Sequence, residues 1–189
     1  MNKCEIRELI LGAKQGDAEK QFILGSCYYD GVGVKRNPVK AVKWFRMAAE
    51  QDNADAQYWM GRCCYYGIGV EKDMTEALAW YNRAADMGHM SAQNEIEKHV
   101  IVMRNRELFE KGTMFLEGNG VPRNIREAVK CFCEAANDGN VRSIIKIIDL
   151  DETGDAEMRS AIMQYADDTL KKRLEYFRGQ KNTTGGNVK

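Results

Sequence analysis

The chain of 189 residues has no net charge, because 28 basic and 28 acidic side chains cancel. Without a basic excess, neither nucleic acid nor an anionic membrane reads as the main partner, since both bind through clustered lysine and arginine. The two signs alternate along the chain, which leaves a locally basic face open. No apolar run comes near the ~20 residues that cross a bilayer. The N-terminus, Met1-Asn2-Lys3-Cys4-Glu5, runs at once into a charged, helix-like segment. It lacks the apolar core of a leader. As given, the chain reads as cytoplasmic unless a leader has been removed.

Histidine is scarce: only His89 and His99 occur. A hydrolase needs a nucleophile, a base and an orienting group in one cleft. Neither histidine has a Ser or Cys partner at motif spacing. The Gly-rich loops follow helices rather than strands and lack the rest of a phosphate-binding fingerprint. A non-enzyme with no cofactor is expected.

Six cysteines invite a disulfide reading. Their positions argue against it. Cys27 and Cys63 are 36 residues apart and share one slot in successive repeats. Cys131 stands where Trp44 and Trp80 stand, a packing slot. Reduced, buried or half-buried thiols are expected. Cys131-x-Cys133 has no second pair or spaced histidine to complete a metal site.

Three Gly-x-Gly-Val loops are present, and each precedes the same helix signature. Gly31-Val32-Gly33-Val34 leads to Ala41, Trp44-Phe45 and Ala48-Ala49. Gly67-Ile68-Gly69-Val70 leads to Ala77, Trp80-Tyr81 and Ala84-Ala85, each 36 residues later. Gly118-Asn119-Gly120-Val121 leads to Ala128, Cys131-Phe132 and Ala135-Ala136, a further 51 on. Repetition at such a period predicts an array whose units bury their apolar faces against neighbours. Apolar residues make up 44% of the chain, enough to fill a core.

Each repeat reads as two antiparallel helices, A and B. Helix A of the first runs from about Ala18 to Asp30 with Phe22, Leu24-Gly25 and Tyr28 at helical spacing. Gly31 stops it, and Gly33 gives the loop a second permissive point. Asn37 is a good N-cap, and Pro38 suits the first helical position. Helix B then runs to about Gln51. The second repeat matches, with Tyr58, Met60-Gly61, and a capping-box-like Asp73-Met74-Thr75-Glu76. Gly25, Gly61, Ala48 and Ala84 read as points of close helix approach.

The third repeat departs from the period by a surplus of 15 residues. Ser91-Ala92-Gln93 restarts helix A on schedule, but Phe109-x-x-Gly112-x-x-Phe115 repeats the signature later. Ser91 to Lys111 contains no Gly or Pro. One long helix of roughly 25 residues is predicted, extended by about four turns. The alternative is an extra helix with a bend near Arg104-Asn105. The expected layout is one array over 1–178. It comprises an N-terminal capping helix 4–16, repeats 18–52 and 54–88, and a long helix 90–117 opening a repeat that ends near 139. A worn fourth pair and a capping helix cover 143–178. In that pair Ser143 to Leu150 forms a short helix A. The last helix, Asp155 to Arg178, carries Ile162, Ala166, Leu170, Leu174 and Phe177 on one stripe. Residues 179–189 read as a disordered tail.

Ala18-x-x-Gln21-Phe22-x-Leu24-Gly25-x-x-Tyr28-x-x-Gly31-x-Gly33-Val34, with Lys40-Ala41-x-x-Trp44-Phe45-x-x-Ala48-Ala49, closely resembles the Sel1-like repeat. The second copy matches nearly as well; the third has Cys131 for the tryptophan and Lys111 for the leucine. The resemblance implies an all-α, right-handed α-solenoid related to tetratricopeptide arrays. It implies a scaffold, adaptor or binding partner, many members being bacterial. Secreted members with a disulfide in each repeat show a cysteine pattern this chain does not follow.

By that analogy, function sits on the concave face lined by helices A. The candidates are Glu19, Ser26, Tyr29 and Asp30; then Asp55, Arg62, Tyr65 and Tyr66; then Arg106, Thr113 and Glu117. Phe22, Tyr58, Phe109 and Leu116 share the face, the first three at a recurrent aromatic slot that packing also explains. Tyr and Arg often dominate interface energy, so Tyr29, Arg62, Tyr65 and Tyr66 lead. The expected ligand is a protein or peptide segment. The alternative is a dedicated inhibitor, such as an immunity protein, whose distinguishing feature is the long helix over 93–107.

Overall fold

The computed structural model describes residues 3–154 and 156–184, with side chains for 4–154 and 156–176. The helices are α1 (Lys3–Lys14), α2 (Ala18–Asp30), α3 (Pro38–Ala49), α4 (Ala54–Tyr66), α5 (Met74–Asp86), α6 (Met90–Glu117), α7 (Ile125–Asn137), α8 (Val141–Thr153), α9 (Ala156–Tyr165) and α10 (Asp168–Thr184). No strand occurs among the described residues. The fold is all-α and built from helix pairs. The helices group into two compact units, Met1–Lys98 and His99–Lys189.

Capping sets the helix starts. Asp17, Asn53 and Asn140 open α2, α4 and α8, each accepting from the backbone N–H three residues on. Asn37, Asp73 and Asn124 do the same for α3, α5 and α7. Each such cap contributes about 1 kcal/mol. The capping box expected at Asp73 is half formed. Asp73 accepts from the Glu76 N–H, but the Glu76 carboxylate turns away to accept from Trp80 Nε1 at 3.2 Å and Arg46 Nη2 at 2.9 Å.

The glycine loops close the helix pairs. Gly67 stands at φ 71° and donates its N–H to Cys63 O, a left-handed stop that a side chain would strain. The Asp73 N–H then reaches back to Cys64 O. The same two bonds recur from Gly31 and Asn37, and from Gly118 and Asn124. Gly69 has a second constraint, because a Cβ there would collide with the Pro38 carbonyl at the start of α3.

The core of each pair is an aromatic ring on a glycine. A Cβ on Gly25, Gly61 or Gly112 would lie 2.6, 2.5 or 2.7 Å from the ring of Phe45, Tyr81 or Phe132. All three rings are buried. The deep partner on helix B is therefore the second residue of the Trp-Phe pair, while Trp44 is only half-buried.

Glutamines link one pair to the next. Gln21 Nε2 donates to Ala13 O and Gln57 Nε2 to Ala49 O, both at 3.1 Å. Gln93 makes the same bond to Ala85 O at 3.5 Å. The spacing is again 36. In the second unit Ile144 occupies this register and cannot donate. There Arg173 Nη1, from α10, donates to Ala136 O and Asn137 O instead.

Helix α6 is continuous over 28 residues. Ala92, near its start, is buried in the core of the first unit. Gly112 and Phe109, near its end, pack on Phe132 of α7. Arg104 falls at the register of the caps Asp17 and Asn53 and pairs instead with Asp138 at 3.5 Å. With no cap, Gly or Pro there, nothing stops the helix.

Three expectations at the C-terminus are corrected. The worn helix A runs Val141–Thr153 rather than Ser143–Leu150, because Asn140 caps it. The single helix Asp155–Arg178 is two helices, α9 and α10, since Asp167 Oδ1 accepts from the Leu170 N–H and starts a new one. Ile162, Ala166, Leu170 and Leu174 are all buried as expected; the Phe177 side chain lies outside the described residues. The tail is helical to Thr184, as one Gly costs only about 1 kcal/mol in a helix. Residues 185–189 lie outside the described residues.

Candidate partner-binding surfaces

In the first unit the exposed edges of α2 and α4 carry one continuous row of rings. Tyr29 meets Trp59 edge-on at 4.9 Å. Trp59 stacks on the buried Phe45 at 5.7 Å, which fixes its plane. The Arg62 guanidinium lies 4.5 Å above Trp59 and 6.0 Å from Tyr58. Tyr58 stacks on His89 at 4.6 Å, and His89 Nε2 is 3.2 Å from Asp55 Oδ1. His89 Nδ1 accepts from the Ala92 N–H, so this imidazole opens α6 as Asp17 and Asn53 open α2 and α4. That geometry assigns His89 a cap and a stacking role.

Of the expected residues, Tyr29, Arg62 and Asp55 join this row. Tyr65 and Tyr66 form their own edge-to-face pair at 4.8 Å, with Lys72 Nζ 5.9 Å from the Tyr65 ring. Tyr66 is 57% exposed. Glu19, exposed, accepts from Asn53 Nδ2. Asp30 and Glu117 are exposed at helix ends. Ser26 and Thr113 donate to the carbonyls of Phe22 and Phe109, four residues back, so both hydroxyls serve their own helices.

Sequence reasoning missed Trp59. Its register holds Ile23 in the first repeat and Glu110 in the third, so a tryptophan there departs from the pattern. That departure was the available signal.

In the second unit α6 and α8 border a groove of about 740 Å³, lined by Val102, Arg106, Phe109, Thr113, Met114 and Arg142 among others. Arg106 and Thr113 are thus together here, with Arg106 Nε donating to Glu110 at 2.9 Å. The expected list lacked Arg142.

The cysteines form no disulfide. Cys4 is exposed and the other five are buried. Burial pushes Cys63 up to about 11, and Cys64 and Cys133 to about 12. Burial raises Cys27 and Cys131 as well. A disulfide reagent at about pH 8 therefore titrates one thiol per native chain, and the rest only after unfolding, because the thiolate is the reactive form. Two or more fast thiols in the native protein would contradict this packing. Among the described residues no group of three His, Cys, Asp or Glu side chains is placed to hold a metal. No helix among them is long and apolar enough to cross a membrane.

The Sel1 repeat family model matches residues 19–53, 54–89 and 108–140, more than half of the chain. The chain belongs to the Sel1 repeat family. The matched segments are the pairs α2–α3 and α4–α5, and the pair formed by the end of α6 with α7. Sel1 repeat proteins generally mediate protein–protein interaction on a non-catalytic fold. A solved Sel1 repeat protein from Oxalobacter formigenes is 32% identical, over 85% of this chain and 64% of that one, with a TM-score of 0.42. The c5321 protein, described as a protective antigen of uropathogenic Escherichia coli with an SLR fold, is 27% identical. That match covers 92% of this chain and 36% of the other, with a TM-score of 0.45. Helicobacter pylori cysteine rich protein B is 24% identical, over 50% and 71% of the two chains, with a TM-score of 0.47. The chain therefore spans less than two thirds of the first two solved relatives. A search of curated proteins returns no match.

Proposed function

We propose that this Sel1 repeat protein is a non-enzymatic scaffold or adaptor that holds a protein or peptide on the helix A face of α2 and α4. The observation that supports this reading is the row Tyr29–Trp59–Arg62–Tyr58. It offers half-exposed aromatic area already fixed from behind by Phe45, so a ligand orders little on binding. Tyr and Trp combine large apolar area with a polar handle, and Arg adds directional donors. Five buried thiols in no disulfide fit a reducing compartment, and a cytoplasmic location is proposed on that ground.

The test is affinity capture from source-cell lysate with the wild type, Arg62→Glu and Tyr65→Ala, read by quantitative mass spectrometry. One stoichiometric protein should fall by about tenfold or more in the variants, the loss of one interface anchor. Their helical circular dichroism should be unchanged. Equal capture by all three proteins would sink the proposal.

A further inference from the structure

We propose that the groove between α6 and α8 is a second ligand site, which takes an extended peptide carrying a carboxylate beside aliphatic side chains. It belongs to the second unit and is built from other helices than the ring row of α2 and α4, and it shares with the scaffold reading only the class of ligand.

The walls set exposed apolar side chains beside the polar Arg106, Glu110, Thr113 and Asn140. Val102 is 63% exposed and Met114 42% exposed, and both line the groove with Phe109. The charge is supplied by α8. The Arg142 guanidinium lies 4.9 Å over the Phe109 ring. Seated on the ring, it makes no ion pair or hydrogen bond among the described residues, so its N–H donors remain unspent. Lys146, one turn further along α8, lines the continuation of the groove beside Ile145. Of the two acids nearby, Glu110 accepts from Arg106 at 2.9 Å, which leaves Asp149 against Arg142 and Lys146. The surplus charge facing a ligand is positive.

The repeat register makes the same point independently. Arg142 occupies the slot that holds Glu19 and Asp55 in the first two repeats and Ser91 at the start of α6. Counted from the ring, which is kept as Phe22, Tyr58 and Phe109, the position 33 residues on is Asp55, then Ser91, then Arg142, so it passes from acid through neutral to base. An apolar surface with a conserved ring slot and a reversed charge selects a ligand of opposite charge.

The test uses the full chain and fluorescein-labelled peptides of alternating leucine and glutamate, with glutamine and lysine counterparts, in fluorescence anisotropy. The glutamate peptide should bind more tightly than about 1 mM, and about tenfold more tightly than the glutamine peptide, the effect of one charge-assisted contact. Arg142→Gln should erase that advantage, and Met114→Glu on the wall should weaken the same peptide. Both side chains are exposed, so the fold should survive, which circular dichroism checks. Arg62→Glu in the first unit should leave the titration unchanged, which separates this site from the one proposed above. Equal binding of the three peptides would overturn the inference. So would an acid preference that survives Arg142→Gln, a loss caused by Arg62→Glu alone, or no saturable binding at about 1 mM.

Discussion

Replacing Gly61 by alanine destabilises the first unit by about 1–3 kcal/mol, the usual cost of forcing extra volume into a packed core. The added Cβ would stand 2.5 Å from Tyr81 Cδ1 and 2.6 Å from Cε1. Real Cβ atoms do not approach that closely, so the ring must move. Tyr81 is only 1% exposed and cannot move outward. Helix propensity runs the other way, since alanine is the better helix former by about 1 kcal/mol; the clash outweighs it. Gly12→Ala is the contrast. Its Cβ would meet only the end of the Lys20 side chain, which is half-exposed and swings aside. That variant should be neutral or slightly more stable. Tyr81→Ala alone should cost about 3–5 kcal/mol. In the double variant the new methyl enters the space the ring has left, so its loss should be smaller than the sum of the two single losses. Urea melts of the four proteins measure this cycle, and additive losses would mean that the ring is not seated on Gly61.

Gln57→Leu gives the second effect, about 0.5–1.5 kcal/mol, the net worth of a buried hydrogen bond, since the Ala49 carbonyl keeps the Asp52 N–H as a donor. Gln57 is 1% exposed. It bonds Ala49 O at 3.1 Å and Asp52 Oδ1 at 3.4 Å. Asp52 turns at φ 60°, a conformation that side chains resist. The amide thus ties the end of α3, the strained turn and α4 together. Leucine keeps the volume and removes the tie. Gln93→Leu tests the reasoning, because its bond to Ala85 O is 3.5 Å long and the residue is exposed. That change should stay within about 0.5 kcal/mol, as surface substitutions do. Equal losses at the two positions would show that the repeated glutamine is not a junction device.

Much of the fold was legible in the sequence for a simple reason. A residue that returns at the same place in each repeat answers the same packing demand each time. Gly25, Gly61 and Gly112 recur because a ring lies on each, and Gly31, Gly67 and Gly118 recur because each helix must stop there. The long α6 was legible through an absence, since nothing between Ser91 and Lys111 ends a helix. Where the repeat is worn, local chemistry decided the outcome. Asp167 is one of several polar residues between Asp155 and Arg178, yet its carboxylate starts α10. Arg173 gave no sign that it replaces a glutamine, because the carbonyls it meets are 37 and 36 residues away in sequence.

The surfaces were harder to read than the scaffold. Counting along the repeat placed Tyr29, Arg62 and Asp55 on one face. It did not show that Trp59 joins them, since stacking depends on rotamers that the period does not encode. Ser26 and Thr113 fall on that face by count, but both hydroxyls bond to their own backbones. Arg142 went unnoticed because it lies beyond the last clear repeat.

Site-specific photo-crosslinking in source cells tests the central claim most directly. A photoreactive phenylalanine analogue at Tyr66, 57% exposed on the helix A face, is compared with one at Val39, 67% exposed on helix B. A scaffold working through its helix A face gives a discrete cross-linked partner from position 66 and none from position 39. A partner caught from position 39 alone, or from neither position, would contradict it.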